Sequence, residues 1–167
     1  RATGDRQKSL ENAERLITHH PEIWNGYGRA AQDLVSFKRY EEASAQIYSG
    51  LEKIPNQINL LTIATDVYRG LGDRKKSLEY ADLLIKHHPE YWKGYGRAAQ
   101  DLVAMKRFKG AMSRINVGLE KIPNQMNLLT IATDTYRTSG DFEKSLEYAE
   151  LLIKHHPENW KGYGRAA

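Results

Sequence analysis

Residues 55–88 read PNQINLLTIATDVYRGLGDRKKSLEYADLLIKHH, and residues 123–156 read PNQMNLLTIATDTYRTSGDFEKSLEYAELLIKHH. The larger segments 21–88 and 89–156 align without a gap, and 49 of their 68 positions are identical. The five prolines are spaced 34 residues apart, whereas the three tryptophans and the three HHPE strings are spaced 68 apart. A fixed period of this length is typical of repeat architectures. The sequence therefore predicts a 34-residue unit that occurs in two alternating versions.

Each unit contains two stretches with helical periodicity. Apolar residues recur at helical spacing in both stretches: Leu61, Ala64, Tyr68 and Leu71 in the first, and Leu78, Ala81, Leu84 and Ile85 in the second. No alternating β-type segment is visible. The pattern predicts an all-α fold of stacked antiparallel helix pairs.

Turn residues predict where the helices begin and end. Asn56 is a candidate N-cap, and Gly72 a left-handed terminator followed by a cap at Asp73. Pro89 suits the first position of the next helix. In the other version of the unit, Lys38-Arg39 and Lys106-Arg107 replace the Gly-Asp pair, so those turns must form without a glycine.

The spacing of large, small and aromatic residues resembles the tetratricopeptide repeat (TPR). One version of the unit matches that pattern at Leu61, Ala64, Thr65, Tyr68, Ser77, Ala81, Leu84 and Pro89. The other matches at Tyr27, Ala30, Ala31, Leu34, Ala43, Ile47, Gly50 and Pro55. Ser77 stands where the family usually has alanine. The resemblance covers essentially the whole chain, and it implies a right-handed α-solenoid.

This register divides the chain into a single array. Full units are predicted at 21–54, 55–88, 89–122 and 123–156. Residues 1–20 correspond to the second helix of a preceding unit, and residues 157–167 to the first helix of a following one. Solenoids need polar caps, and none is visible here. We therefore expect head-to-tail self-association at high concentration.

The string GYGRAA at 26–31 fits the dinucleotide-binding pattern G-x-G-x-x-[GA] but lacks the preceding strand that such a site requires. Two explanations of Gly26 and Gly28 remain. The glycines allow close packing, which is the favoured interpretation, or they let a ligand approach the helix backbone beside Arg29.

In the TPR family the first helix of each pair lines the concave surface, and the resemblance assigns a set of polar residues to that groove. The predicted groove residues are Asn25, Gly28, Arg29, Gln32, Asn59, Thr62, Asp66, Arg69, Lys93, Gly96, Arg97, Gln100, Asn127, Thr130, Asp134, Arg137, Lys161 and Arg165. Arginine suits carboxylates, while Asn and Gln can satisfy the backbone of an extended peptide. A merely solvated face is the alternative.

Some family members clamp a partner's C-terminal carboxylate with Lys and Asn. The pairs Lys93–Arg97 and Lys161–Arg165 match the last cations of that clamp. Gly28 and Ile63 stand where its first lysine and central asparagine would be, so the clamp is incomplete.

Ten of the 19 differences between the two 68-residue segments correspond to positions 36–49. Residues 26–35 have no differences. This distribution suits a repeated groove beside an outer face that drifts in sequence.

Composition and residue spacing argue against several classes of function. The net charge of +4 falls short of a nucleic-acid footprint, and the absence of cysteine excludes disulfides and thiol catalysis. Adjacent histidines lack the i, i+4 spacing of helical zinc sites, and no catalytic triad pattern recurs. No apolar run is long enough to span a membrane. We predict no cofactor, no metal and a cytoplasmic location.

The leading prediction is a non-enzymatic protein-interaction scaffold that binds an extended acidic or polar segment of a partner protein. A spacer or self-associating module of a larger protein is the alternative. RNA binding is less favoured, because the related pentatricopeptide repeats usually have a 35-residue period.

Overall fold

A computed structural model describes residues 2–158 of the chain, and side chains over residues 4–158. Within residues 2–158 the structure contains α-helices and no strand. The helices are α1 (Ala2–His19), α2 (Trp24–Ser36), α3 (Tyr40–Lys53), α4 (Ile58–Gly70), α5 (Arg74–His87), α6 (Trp92–Ala104), α7 (Phe108–Lys121), α8 (Met126–Ser139) and α9 (Phe142–His155).

The chain packs as two compact units, one up to His87 and one from His88 onward. In the first unit each helix from α1 to α5 packs against the next, and α2 also packs against α4. In the second unit α6 to α9 pack in the same order, and α6 also packs against α8. The predicted all-α fold of stacked antiparallel helix pairs is therefore confirmed within each unit.

The core combines alanines at helix crossings with a few large side chains. Ala30, Ala43 and Ala64 are fully buried in the first unit. Tyr27 packs on Gly50, where an added Cβ would lie 2.8 Å from the Cβ of the tyrosine. Small residues let neighbouring helices approach closely, because a helix surface is otherwise held apart by its side chains.

The turns that lack glycine keep the geometry of the glycine turns. Gly72 has φ of +79°, and Lys38 at the corresponding position has φ of +60°. Both turns close with the same backbone pattern, in which the N–H of Lys38 donates to Val35 and that of Gly72 donates to Arg69. Lys106 repeats this conformation with φ of +58°. The lysines thus adopt a left-handed conformation that glycine adopts without a steric penalty.

Two predicted helix boundaries were wrong. Gln57, and not Asn56, caps α4, because its side-chain oxygen accepts from the backbone N–H groups of Asn59 and Leu60 at 2.7 and 2.9 Å. Asn56 has φ of +60° and belongs to the turn.

Pro89 also lies outside a helix. The N–H of Tyr91 donates to the carbonyl of His88 at 2.9 Å, so the proline sits at the second position of a turn, a position it favours. Helix α6 begins three residues later, at Trp92.

The predicted terminator Gly72 and the predicted cap Asp73 are both observed. The side chain of Asp73 accepts from the N–H of Lys76.

Candidate functional site

The first helices of successive pairs lie side by side, α2 with α4 and α6 with α8. These are the helices to which the repeat register assigns the groove. Between α6 and α8 the structure contains a cleft of about 250 Å³. Its lining residues are Trp92, Lys93, Gly96, Arg97, Gln100 and Ile131. Four of these six, all on α6, were predicted as groove residues.

A second cleft of about 180 Å³ continues along the same pair of helices. It is lined by Gln100, Val103, Ile131, Asp134, Thr135 and Thr138. Gln100 and Ile131 line both clefts, so the two adjoin, and together they are here named the α6–α8 groove. Trp92, Val103 and Ile131 form its apolar part, and cationic, amide, hydroxyl and carboxylate side chains surround them.

Glycine shapes this groove through packing. A Cβ on Gly96 would lie 2.9 Å from Cδ1 of Ile131 and 3.4 Å from the ring of Trp92. In the first unit a Cβ on Gly28 would meet Trp24 at 3.0 Å and Ile63 at 3.1 Å. The absent side chains therefore make room for a tryptophan and an isoleucine.

Gly26 is packed even more tightly. An added Cβ would lie 2.8 Å from Ile17 Cγ1 and 3.3 Å from the backbone oxygen of Ala13. Close contacts at three glycines, Gly26, Gly28 and Gly96, thus support the packing explanation.

The charges on the second unit's groove residues are mixed, with a cationic excess. Among the described groove residues of this unit, Lys93, Arg97 and Arg137 are cationic and Asp134 carries the carboxylate. Arg137 donates to that carboxylate at 2.9 Å in a half-exposed ion pair. An exposed pair of this kind contributes little to stability and can open for a ligand.

Two predicted threonines use their hydroxyls inside their own helices. Thr62 is only 8% exposed and donates to the carbonyl of Ile58 at 2.7 Å, while Thr130 donates to Met126 at 2.9 Å. Asn59, Arg69 and Asn127 are half-buried.

In the first unit the other predicted groove side chains are exposed, namely Asn25, Arg29, Gln32 and Asp66. Lys161 and Arg165 lie outside the described residues. Binding by any of the predicted groove residues stays a prediction.

Sequence reasoning missed the apolar part of the groove. Trp92 and Ile131 line it, but they follow the same apolar periodicity as core residues. The available signal was the 68-residue recurrence of tryptophan one position before the groove's first polar residue.

His156, which follows α9, contacts the turn before α8. One ring nitrogen of His156, Nε2, lies 2.7 Å from the backbone oxygen of Asn124. The other nitrogen lies 3.8 Å from Glu158. Over residues 4–158 no three metal-ligating side chains cluster. Among the helices described, none combines the length and apolar character needed to cross a bilayer.

Comparisons with known proteins bear on the fold. No family model matches the chain. The U-box domain-containing protein 70 of Oryza sativa subsp. japonica is 28% identical in an alignment of 154 residues that covers 87% of this chain. The aligned region is only 18% of that relative, so this chain spans about a fifth of its length.

Two solved structures superpose on nearly the whole chain. A tetratricopeptide repeat protein from Parabacteroides merdae gives a TM-score of 0.79 at 17% identity, covering 98% of this chain and 65% of that one. YrrB, described as a TPR protein with an unusual peptide-binding site, gives a TM-score of 0.71 at 17% identity, covering 98% and 84%.

The chain has the tetratricopeptide-repeat fold. At these identities the likeness concerns the fold alone, and the register that places the α6–α8 groove on the first helices belongs to that fold. The TPR interpretation made from residue spacing is confirmed at this level.

Proposed function

We propose that this TPR chain is a non-enzymatic scaffold that binds an extended acidic or polar segment of a partner protein along the first helices of its pairs. The observation that carries the proposal is the α6–α8 groove. Trp92 and Ile131 provide an apolar floor, and Lys93 and Arg97 stand at one end of it. YrrB, which shares the fold, is described as having a peptide-binding site.

The chemistry of the rim favours a carboxylate-bearing ligand. Arginine presents a planar fork that can donate two parallel hydrogen bonds to a carboxylate, and lysine adds a compact positive charge. Gln100, which lines both halves of the groove, offers an amide that can both donate to and accept from a peptide backbone. The apolar floor would accept a side chain adjacent to the acidic group.

The test compares the unmodified chain with Lys93→Glu, Arg97→Glu and the control Lys109→Glu in affinity capture read by quantitative mass spectrometry. Lys109 is exposed on α7, and its substitution changes the net charge by the same amount as the other two. We expect partners that the unmodified chain and Lys109→Glu retain and that both groove variants lose. Peptides tiled across a captured partner should then bind the unmodified chain through an acidic segment.

Capture of the same proteins by all four chains would contradict groove binding, and the spacer alternative would then be preferred. Circular dichroism of each variant is the control that distinguishes lost binding from unfolding. Self-association and a cytoplasmic location stay predictions.

A further inference from the structure

Another cleft lies between the second helices of the last two described pairs. Its volume is about 390 Å³, and it shares no residue with the α6–α8 groove. The residues that matter for its chemistry are Asn116, Leu119, Glu120, Leu129, Tyr148 and Leu151. We name it the α7–α9 cleft.

The cleft has an apolar floor and an ordered polar wall. Leu129 at its base is 2% exposed. The hydroxyl of Tyr148 donates to Oδ1 of Asn116 at 3.1 Å, and its ring stacks on Tyr136 with centroids 5.3 Å apart. These contacts hold the tyrosine in place, so the cleft does not depend on a freely moving side chain.

One end of the cleft is held by a longer-range contact. Asn124 lines that end and has φ of +58°. Its backbone oxygen lies 2.7 Å from Nε2 of His156, which follows α9. The turn before α8 is thus tied to the end of α9.

The first unit has the same wall with one substitution. The position equivalent to Asn116 is Tyr48, which is 61% exposed. A hydrogen bond to Glu52 raises the pKa of Tyr48 above its ordinary value, because phenolate would face that carboxylate. Every other residue lining the α7–α9 cleft is identical 68 positions earlier. The Tyr-to-Asn difference removes an exposed ring and its hydroxyl from this wall.

Among the residues that line the cleft, Glu120 is the charged one. It is exposed at the rim of the cleft, and over the described residues no hydrogen bond or ion pair reaches its carboxylate. An unengaged carboxylate above a leucine floor matches a side chain with an aliphatic stem and a cationic head.

We propose that the α7–α9 cleft is a second binding site, specific for a partner segment that carries lysine or arginine beside an apolar residue. The apolar residue enters above Leu129, and the cation pairs with Glu120. This preference is opposite in charge to that of the α6–α8 groove. The chain would therefore hold two segments of unlike charge at separate sites, and this second site does not depend on the first.

The test titrates the chain with the probe peptide acetyl-Leu-Lys-Leu-amide and follows backbone and Asn side-chain resonances by NMR. The comparison probe replaces the lysine with glutamine. We expect shifts at Asn116, Leu119 and Glu120. We also expect roughly five-fold weaker binding of the glutamine probe, and of the lysine probe to Glu120→Gln, since a rim ion pair contributes modestly.

Two matched variants separate the cleft from general effects. Asn116→Tyr restores the first unit's residue and should abolish the shifts, whereas Tyr48→Asn should create a second set of shifts around Leu51 and Glu52. Arg97→Glu should leave the titration unchanged, which distinguishes failure here from failure of the α6–α8 groove. Absence of shifts at the cleft, or undiminished binding to Asn116→Tyr, would overturn the proposal.

Discussion

At the scale of single residues, the turns show a conformational cost that the chain carries at Lys38 and Lys106. Both lysines lie in the left-handed region, where an L-residue with a Cβ is disfavoured by about 1 kcal/mol or more. Gly72 and Gly140 occupy the same position in the other version of the unit. The turn geometry is therefore set by the packing of the two helices, and the residue type only changes its cost.

Replacing Lys38 with glycine should raise the free energy of unfolding by about 0.5–1 kcal/mol, because the strain exceeds the added entropy of the unfolded chain. The reciprocal change, Gly72→Ala, should lower it by a similar amount. Urea unfolding followed by circular dichroism measures both. A destabilised Lys38→Gly protein would show that the lysine side chain contributes more than its backbone costs.

Helical glycines differ in the space around them, so a uniform rule for Gly→Ala fails. A Cβ on Gly50 would lie 2.8 Å from Tyr27 Cβ, a position fixed by the backbone. A Cβ on Gly110 in α7 would meet only Leu102 side-chain atoms, at 3.5 Å. We expect Gly50→Ala to cost about 1–3 kcal/mol through overpacking. Gly110→Ala should gain about 0.5–1 kcal/mol from helix propensity. Thermal denaturation of the two variants side by side decides this, and equal effects would contradict the packing assignment.

At the scale of elements, tyrosine pairs join the first and second helices of a pair. Tyr68 on α4 stacks with Tyr80 on α5 at 5.3 Å, and Tyr136 on α8 stacks with Tyr148 on α9 at the same distance. Burial raises the pKa of Tyr80 to about 12, and the neighbouring Tyr68 adds to the shift. The pKa of Tyr148 is raised for the same reasons.

This shift makes stability depend on pH in the alkaline range. The unfolded chain releases the Tyr80 proton near the ordinary value of 10, whereas the folded chain holds it until about pH 12. The contribution of Tyr80 to the free energy of unfolding is therefore fully present below pH 10 and is lost as the pH rises towards 12. Tyr80→Phe should remove part of that fall. Phenolate absorbance and melting temperature, measured across this range for both proteins, provide the check. A variant with an unchanged alkaline slope would show that other groups cause it.

At the scale of the whole molecule, packing is local along the chain. Within each unit every packed pair of helices lies no more than two elements apart in sequence. Repeat folds of this kind have stabilities that sum over repeats and nearest-neighbour interfaces. A destabilising substitution in one unit should therefore lower the stability of that unit more than the stability of the other.

The equivalent glycines Gly50 and Gly118 allow a direct comparison. A Cβ added at either position would lie 2.8 Å from a tyrosine, which is Tyr27 in the first unit and Tyr95 in the second. We expect Gly50→Ala to accelerate amide exchange mainly before residue 88, and Gly118→Ala mainly after it. Hydrogen–deuterium exchange mass spectrometry locates the effect. Uniform acceleration along the chain in both variants would indicate all-or-none unfolding instead.

The sequence by itself determined the repeat, the helices and the register of the groove, since apolar periodicity and a fixed 34-residue period depend only on residue order. It also predicted the left-handed Gly72. The choice between Asn56 and Gln57 as cap was decided by backbone conformation, because either side chain could accept from the helix N–H groups. In the sequence, Trp92 and Ile131 cannot be distinguished from core residues. The structure shows that both pack beside Gly96, in the space that a Cβ would occupy.

The equivalent positions Tyr48 and Asn116 give a second example of what the sequence determined and what the structure decided. From the sequence, the difference between Tyr48 and Asn116 belongs to a region that drifts between repeats. Only the tertiary structure places Asn116 beside Tyr148, 32 residues away, and opens a cleft next to Glu120. Helix formation follows from neighbours along the chain, whereas a cleft depends on distances between side chains that the sequence separates, and those distances are set by packing.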